Sequence, residues 1–329
     1  MVKQEKKIEK CETHDPVRWD TEPRVLYFQE NTREEISMKI RWFSGFLAAC
    51  MLLTFTPISK VASQSNFLGR VQIGDIVVNE ETFPDLTFRN WILDGKNING
   101  AGADGILTEE ELASITQIDV SMHGIQNLKG IEIFSALKEL NCSNNQLNEL
   151  DVSHNTELER LYCSYNNLQQ LSLENNTNLI SLSISFNRIS SLDVSNKPQL
   201  KTLNSQMSSM TQLNLSGSTA LEWINVANNA LTDLDLSTNV ELQYVNLFDN
   251  QLTSLNVDTL SKLDFLNVGS NQLTKLDLSH NKSLSAYGGF FATDNYLEEL
   301  TLPDQENVTI ESDRYAEQTP ITGYENVAW

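Results

Sequence analysis

The most constraining feature of the sequence is a 21-residue unit that begins at Leu137 and returns along the chain. The first copies are LKELNCSNNQLNELDVSHNTE, LERLYCSYNNLQQLSLENNTN and LISLSISFNRISSLDVSNKPQ. A looser copy of 22 residues precedes them from Ile115, and the last copy has three additional residues within AYGGFFATDN. Because self-similarity at such a period is typical of stacked units, the sequence predicts a solenoid of about nine units over residues 115–303.

Each unit contains LxxLxLxxNxL, the signature of a leucine-rich repeat, in which a short strand is followed by an asparagine at the turn. The second half of the unit repeats the motif, since Leu147 to Asn155 again follow LxxLxLxxN. One unit cannot fold alone: about six inward apolar side chains at ~1.5 to 3 kcal/mol each do not offset ~1.5 kcal/mol of ordering entropy per residue. The expected fold class is therefore a leucine-rich-repeat solenoid, mostly parallel β, with little helix and a second extended segment in each repeat.

Residues 64–114 are expected to form a small α-helical cap before the repeats. In FPDLTFRNWIL, the side chains of Phe83, Phe88, Trp91 and Ile92 suit one face of a short helix. Thr108 and Glu111 form a TxxE capping box that opens a second helix. Residues 304–329 lose the period and are either a closing cap or a tail.

An asparagine recurs at the turn after the strand, and an inward amide there can pair backbone groups that would otherwise be buried without partners, at about 1 to 3 kcal/mol each. This structural ladder consists of Asn145, Asn166, Asn187, Asn229, Asn250, Asn271 and, after the insertion, Asn295. Ser208 interrupts it, and Ser205 occupies a core position of the same unit. This unit is expected to be the least stable.

Three aromatic residues occupy one outward strand position of successive repeats: Trp223, Tyr244 and Phe265, with Phe248 nearby. At ~150 to 250 Å² each they approach the size of an apolar patch that monomers rarely expose without a function. They are the predicted ligand-binding residues, for a protein or a glycan. The alternative is that the tail, which carries Tyr315, Tyr324 and Trp329, folds over them.

A calcium loop is a second candidate site, in the cap. Asp104 and Glu111 match the fifth and twelfth positions of an EF-hand, while Gly100 and Gly102 stand at the first and third. Substitute oxygen ligands within an enlarged loop are Asp94, Asn97 and Asn99. The alternative is a glycine-rich connection between two helices, and no other cofactor is expected.

The start of the chain has the features of export. Residues 1–37 are polar and precede Met38, which suggests an upstream segment translated from a misassigned start. Residues 38–63 resemble a signal peptide with a basic start, an apolar run and small residues near its end, so no transmembrane segment is expected after cleavage. The protein is therefore expected to be secreted or on the cell surface; LAAC, ending at Cys50, offers lipoprotein anchoring as the alternative.

Charge and residue distribution exclude other classes. With 44 Asp+Glu against 23 Lys+Arg and a net charge of -21, nucleic acid is not an expected partner. Cys142 and Cys163 fall in an inward column, where they are expected to be buried free thiols. The four histidines are dispersed, so no catalytic constellation is visible and an enzyme is not expected.

The repeats, preceded by FPDLTFRNWIL, DGILTEEEL and LKGIEIF, resemble the internalin-like leucine-rich-repeat proteins of bacterial surfaces, particularly those of the Bacteroidetes. The resemblance covers Glu81 to Pro303, and it implies adhesion or recognition of a host protein by the repeat face. The sequence departs from that family in its strongly acidic surface and in having no recognisable wall anchor or sorting domain. Two hypotheses follow: an exported, non-catalytic binding protein, or a self-associating structural or regulatory surface module tuned by calcium.

Overall fold

The computed structural model describes residues 72, 74–284 and 289–303. The upstream segment 1–37, the signal peptide 38–63 with Cys50, and the tail 304–329 lie outside the described residues. The helices are α1 (Leu86–Leu93), α2 (Glu109–Ser114) and a 3-10 turn at Ile131–Ile133. The strands are β1 (Ile76–Val77), β2 (Ile106–Leu107), β3 (Gln117–Asp119), β4 (Glu139–Asn141), β5 (Arg160–Tyr162), β6 (Ser181–Ser183), β7 (Ser191–Asp193), β8 (Thr202–Asn204), β9 (Gln212–Asn214), β10 (Trp223–Asn225), β11 (Tyr244–Asn246), β12 (Phe265–Asn267), β13 (Lys275–Asp277), β14 (Phe290–Phe291) and β15 (Glu299–Thr301).

The main sheet has nine parallel strands in the order β3-β4-β5-β6-β8-β10-β11-β12-β14. Each repeat contributes one short strand to this sheet. Residues that pair across neighbouring strands are 21 positions apart in the sequence, as Leu140 and Leu161 are. The spacing is 22 where Ile118 pairs with Leu140. It becomes 24 where Leu266 pairs with Phe290, because the additional residues of the last repeat precede that strand. The predicted parallel solenoid with little helix is confirmed.

On the other side of the solenoid, two short parallel pairs form, β7 with β9 and β13 with β15. The other described coils form no strand on that side. The second strand predicted from the nested motif is therefore present in four of the coils.

The interior of each coil is filled by six side chains. In the first full repeat these are Leu137, Leu140, Cys142, Leu147, Leu150 and Val152, none more than 9% exposed. Cys142 and Cys163 are free and buried. A hydrogen bond with Cys163, together with burial, raises the pKa of the Cys142 thiol, so this thiol behaves as a small apolar group and not as a nucleophile.

The asparagine ladder joins each coil to the one before it. Asn166 Nδ2 donates to the carbonyl oxygens of Cys142 and Cys163, both at 3.0 Å. Its Oδ1 accepts from the Leu147 amide at 3.0 Å. The same contacts recur around Asn187, and Asn295 repeats them after the insertion.

A second amide column lies at the turn of the opposite side. Its asparagines are Asn155, Asn176, Asn239 and Asn281, all fully buried. Asn176 Nδ2 donates to the carbonyls of Val152 and Asn155 at 3.0 and 2.9 Å. The Oδ1 atoms of all four have no hydrogen-bond partner among the described residues. Leu260, also fully buried, occupies this column between Asn239 and Asn281, so an amide is not indispensable there.

The cap is attached to the first repeat through one aspartate. Asp85 caps α1, and its Oδ1 accepts from the amides of Thr87 and Phe88 at 2.9 and 3.0 Å. Its Oδ2 accepts from the amides of Gln126 and Asn127, which belong to the first repeat. One carboxylate therefore accepts hydrogen bonds from the free backbone amides at the start of α1 and also holds that helix against the first repeat.

The apolar face of the cap differs from the prediction at one residue. Phe88, Trp91 and Ile92 lie on α1 and are buried, as expected. The prediction that Phe83 lies on this helix is wrong, because Phe83 precedes the N-cap by two residues. Its side chain is fully buried, with its ring 5.6 Å from that of Phe88 in an edge-to-face contact. The capping box of Thr108 and Glu111 is present at α2.

The two serines of the repeat that begins at Leu200 have different surroundings, which gives a stability prediction. Ser205 is fully buried and its Oγ has no hydrogen-bond partner among the described residues. Ser208 is equally buried, but its Oγ donates to the Ile184 carbonyl at 3.2 Å. Ser205→Val is expected to raise the free energy of unfolding by about 1 to 2 kcal/mol, because it removes an unpaired hydroxyl and adds apolar burial.

Chemical denaturation followed by circular dichroism measures the effect. Ser208→Ala is the matched control, and it is expected to lower the free energy of unfolding by about 1 kcal/mol because it removes a buried hydrogen bond, although the Ile184 carbonyl still accepts from Asn187 Nδ2. If both variants changed the free energy of unfolding by the same amount and in the same direction, the different hydrogen bonding of the two serines would not explain their stability.

Candidate binding surfaces

The aromatic stripe is the set of Trp223, Tyr244 and Phe265, which begin the neighbouring strands β10, β11 and β12. Parallel pairing in register places these residues directly beside one another. The rings of Trp223 and Tyr244 stack with centroids 5.1 Å apart, and those of Tyr244 and Phe265 stack at 4.3 Å. All three are half-buried, so one continuous apolar ridge lies on the outer face of the sheet.

Phe291 extends the stripe by one more coil. It lies on β14 opposite Asn267, and its ring is 5.7 Å from that of Phe265. The 21-residue period could not locate it, because the additional residues of the last repeat move it out of register.

Phe248 lies on the coil of Tyr244, two residues past the end of β11, and is 36% exposed. It packs over the backbone of the following coil at Gly269, where an added Cβ would stand 3.2 Å from Phe248 Cδ2. Because Gly269 has no side chain, the Phe248 ring can pack directly against the backbone there.

The chain neighbours of the stripe are acidic. Asp264 precedes Phe265, Asp249 follows Phe248, and both are exposed. Burial raises the pKa of the Tyr244 phenol, which keeps this ring neutral at physiological pH. The result is an apolar centre with carboxylates beside it. The tail that was expected as an alternative cover, with Tyr315, Tyr324 and Trp329, lies outside the described residues.

A further row of apolar side chains was missed by the sequence analysis. The residue before each ladder position has a positive φ, between 52° and 61°. These residues are Met122, Asn144, Tyr165, Phe186, Met207, Asn228, Asp249, Ser270 and Asp294. Tyr165 and Phe186 stack with centroids 4.2 Å apart and an interplanar angle of 9°. The only signal in the sequence is that Tyr165 and Phe186 occupy a position at which other repeats have asparagine, namely Asn144 and Asn228.

The residues predicted to bind calcium are engaged in local contacts. Asp94 is the C-cap of α1 and pairs with Lys96 at 3.4 Å, and Asn97 Nδ2 donates to the Trp91 carbonyl at 2.9 Å. Asn99 has a φ of 56°.

The two carboxylates of the proposed loop also take part in turns and caps. Asp104 Oδ1 accepts from the Ile106 amide at 3.1 Å, and Glu111 Oε2 accepts from the Thr108 amide at 2.8 Å. Within the described part of the chain, no three or more His, Cys, Asp or Glu side chains are grouped to hold a metal. Calcium binding stays a prediction.

A groove of about 1140 Å³ lies on the opposite side of the solenoid and is lined by Asp151, Asp193 and Lys197 among others. Hydrogen bonds from Ser153 hold the pKa of Asp151 below its usual value, and hydrogen bonds from Ser195 do the same for Asp193. These carboxylates accept hydrogen bonds from backbone amides of the following turns.

Among residues 72, 74–284 and 289–303, no helix has the length and apolar character needed to cross a lipid bilayer.

No protein-family model matches the sequence, and no curated protein is significantly similar to it. Among solved structures, internalin C2 from Listeria monocytogenes superposes with a TM-score of 0.51 at 18% identity, over 74% of this chain and 100% of that chain. The functional domain of InlJ from Listeria monocytogenes, which includes a cysteine ladder, gives a TM-score of 0.46 at 24% identity. That alignment covers 73% of this chain but only 61% of the InlJ domain. The chain is thus a leucine-rich-repeat solenoid whose fold is similar to that of internalin C2.

Proposed function

We propose that the protein is an exported, non-catalytic recognition protein that binds a partner protein through the aromatic stripe, in adhesion or host interaction. The single observation that carries the proposal is the row of stacked, half-buried rings of Trp223, Tyr244 and Phe265 on adjacent strands. Export depends on residues 38–63, and N-terminal sequencing of protein recovered from the culture medium tests it. An intact N-terminus in all the recovered protein would contradict this part.

The stripe has the properties of an interface centre. Rings stacked on a rigid sheet lose little conformational entropy when they are buried, and aromatic side chains dominate binding hot spots. With Phe248 and Phe291 the patch contains five rings, each able to bury ~150 to 250 Å². An apolar area of this size on a solenoid, a fold that presents extended binding surfaces, supports recognition of a protein.

The chemistry of the surface also defines the partner. A complementary surface carries apolar side chains at its centre and Lys or Arg at its rim, opposite Asp249 and Asp264. The same acidic rim disfavours a contact between two copies through this face, because like charges would meet.

The test is binding of the full-length chain to an array of purified extracellular proteins. A Trp223→Ala, Tyr244→Ala, Phe265→Ala variant is expected to bind a partner at least ~100-fold more weakly, because hot-spot aromatics contribute about 2 kcal/mol or more each. The matched control replaces Glu139, Arg160 and Ser181 by alanine, since these residues occupy the same strand position in the earlier coils.

The two variants separate the outcomes. A partner lost only with the aromatic variant supports the proposal, and equal loss with both variants contradicts it. Sedimentation of the wild-type chain tests the self-associating module: a dimer that dissociates in the aromatic variant would replace partner binding by self-association.

A further inference from the structure

A second surface on the same sheet differs from the stripe in chemistry. It is a groove of about 420 Å³ over the coils of β3 to β8. Its lining residues are Ser121, Met122, Asn141, Ser143, Asn144, Tyr162, Ser164, Tyr165, Ser183, Ser185, Phe186, Asn204 and Gln206. None of these side chains is charged, although the chain carries 67 charged residues, 23 basic and 44 acidic. The groove therefore suits a ligand without charge.

Two residues that line the groove have a polar atom that is buried beneath its floor and lacks a partner among the described residues. Ser185 is 3% exposed, and its Oγ has no hydrogen-bond partner within the described chain. The same is true of Asn204 Oδ1, one coil further on. Two other hydroxyls of the lining are paired with each other, Ser164 Oγ with Ser183 Oγ at 2.9 Å. Because an unpaired buried polar atom destabilises the fold, a ligand that pairs with Ser185 and Asn204 would recover that energy.

One wall of the groove is formed by Tyr165 and Phe186. Large side chains at positive φ are strained, and Asn is preferred there. The chain nevertheless places two stacked aromatic rings at such positions, with Tyr165 50% exposed. Strain of this kind persists where a function retains it.

We propose that this groove binds a neutral oligosaccharide. A sugar ring has an apolar C–H face and a rim of hydroxyls, each of which both donates and accepts. The aromatic wall contacts the C–H face, while the hydroxyls and amides of the lining pair with ring hydroxyls, Ser185 Oγ and Asn204 Oδ1 after their side chains rotate towards the ligand. A peptide presents N–H donors and C=O acceptors in a fixed alternation along its backbone. Serine hydroxyls rotate and can both donate and accept, so they suit the hydroxyl groups of a sugar in any order.

The experiment is isothermal titration calorimetry of the full-length chain with maltohexaose, cellohexaose, chitohexaose and mannohexaose. A heparin hexasaccharide and a capped serine–glycine peptide are the contrasting probes. One neutral hexasaccharide is expected to bind, whereas the anionic sugar and the peptide are not. Tyr165→Asn with Phe186→Asn is expected to weaken binding by roughly tenfold or more, because it removes the aromatic wall. Asparagine is the native residue at this position in other coils, at Asn144 and Asn228, so the turn is preserved.

Two further variants make the result specific. Ser185→Ala is expected to weaken binding by about threefold to tenfold while leaving the unfolding midpoint unchanged or higher, since its hydroxyl has no partner among the residues that the structure describes. The Trp223→Ala, Tyr244→Ala, Phe265→Ala variant is expected to keep the full affinity, which separates this site from the aromatic stripe. No binding of any neutral hexasaccharide at millimolar concentration, stronger binding of the peptide or heparin fragment, or equal binding by all variants would overturn the proposal.

Discussion

Asn166→Leu is expected to lower the free energy of unfolding by about 2 to 4 kcal/mol, because it removes three buried hydrogen bonds and leaves the Leu147 amide without a partner. The Cys142 and Cys163 carbonyls each keep one donor, the side-chain amides of Asn145 and Asn187. The Asn166 side chain pairs the Cys142 and Cys163 carbonyls and the Leu147 amide, each at 3.0 Å. Leucine has a similar volume and cannot make any of these bonds. Urea denaturation followed by circular dichroism measures the change, with midpoints compared because repeat arrays depart from two-state unfolding.

The second amide column provides the matched control. Asn176→Leu makes the same chemical change at an equally inward position, but it removes only two hydrogen bonds, and the two carbonyls each keep a backbone amide donor. The unpaired Oδ1 is removed with them. Leu260 already occupies this column. The expected loss is about 1 to 2 kcal/mol. If both variants were equally unstable, inward polarity in general, and not the particular hydrogen bonds of Asn166, would explain the first column.

Gly130→Ala is expected to lower the free energy of unfolding by about 3 to 5 kcal/mol, because it combines backbone strain with a steric clash. Gly130 has a φ of 102°, and a Cβ there would lie 2.4 Å from Phe83 Cδ1 and 2.8 Å from the Thr82 carbonyl oxygen. Phe83 is fully buried between the cap and the first repeats, so its ring cannot move without opening this contact. Thermal unfolding and hydrogen exchange of the α1 amides report the damage.

Gly100→Ala separates the two causes. Gly100 has a φ of 95°, close to that of Gly130, but an added Cβ would have nothing within 4 Å. Its expected effect is the strain alone, about 1 to 2 kcal/mol. Similar losses in the two variants would show that Phe83 accommodates the methyl group and that the clash has no energetic weight.

The sequence predicts those parts of the fold that depend on the period of the side chains. Inward leucines and the parallel sheet follow from it, because neighbouring coils place equivalent residues side by side. The ridge of Trp223, Tyr244 and Phe265 follows from the same reasoning, as their stacking shows.

Features that depend on the backbone conformation or on distant contacts could not be predicted. Tyr165 and Phe186 stand in a turn whose positive φ is not visible in their residue types, which normally avoid it. Phe291 is displaced from the period by the additional residues. The double role of Asp85 depends on Gln126, 41 residues away in the chain, and no local pattern indicates that contact.

The 21-residue spacing of the coils also has an evolutionary consequence. The oligosaccharide groove and the aromatic stripe lie on different coils of one sheet, and the ladder connects each coil only to its neighbours. In-frame insertion of one duplicated repeat between the neighbouring coils of β8 and β10 would increase the separation of the two sites by one strand spacing, about 4.8 Å. Recombination could thus adjust the reach between two recognition sites in fixed steps, without altering a residue of either.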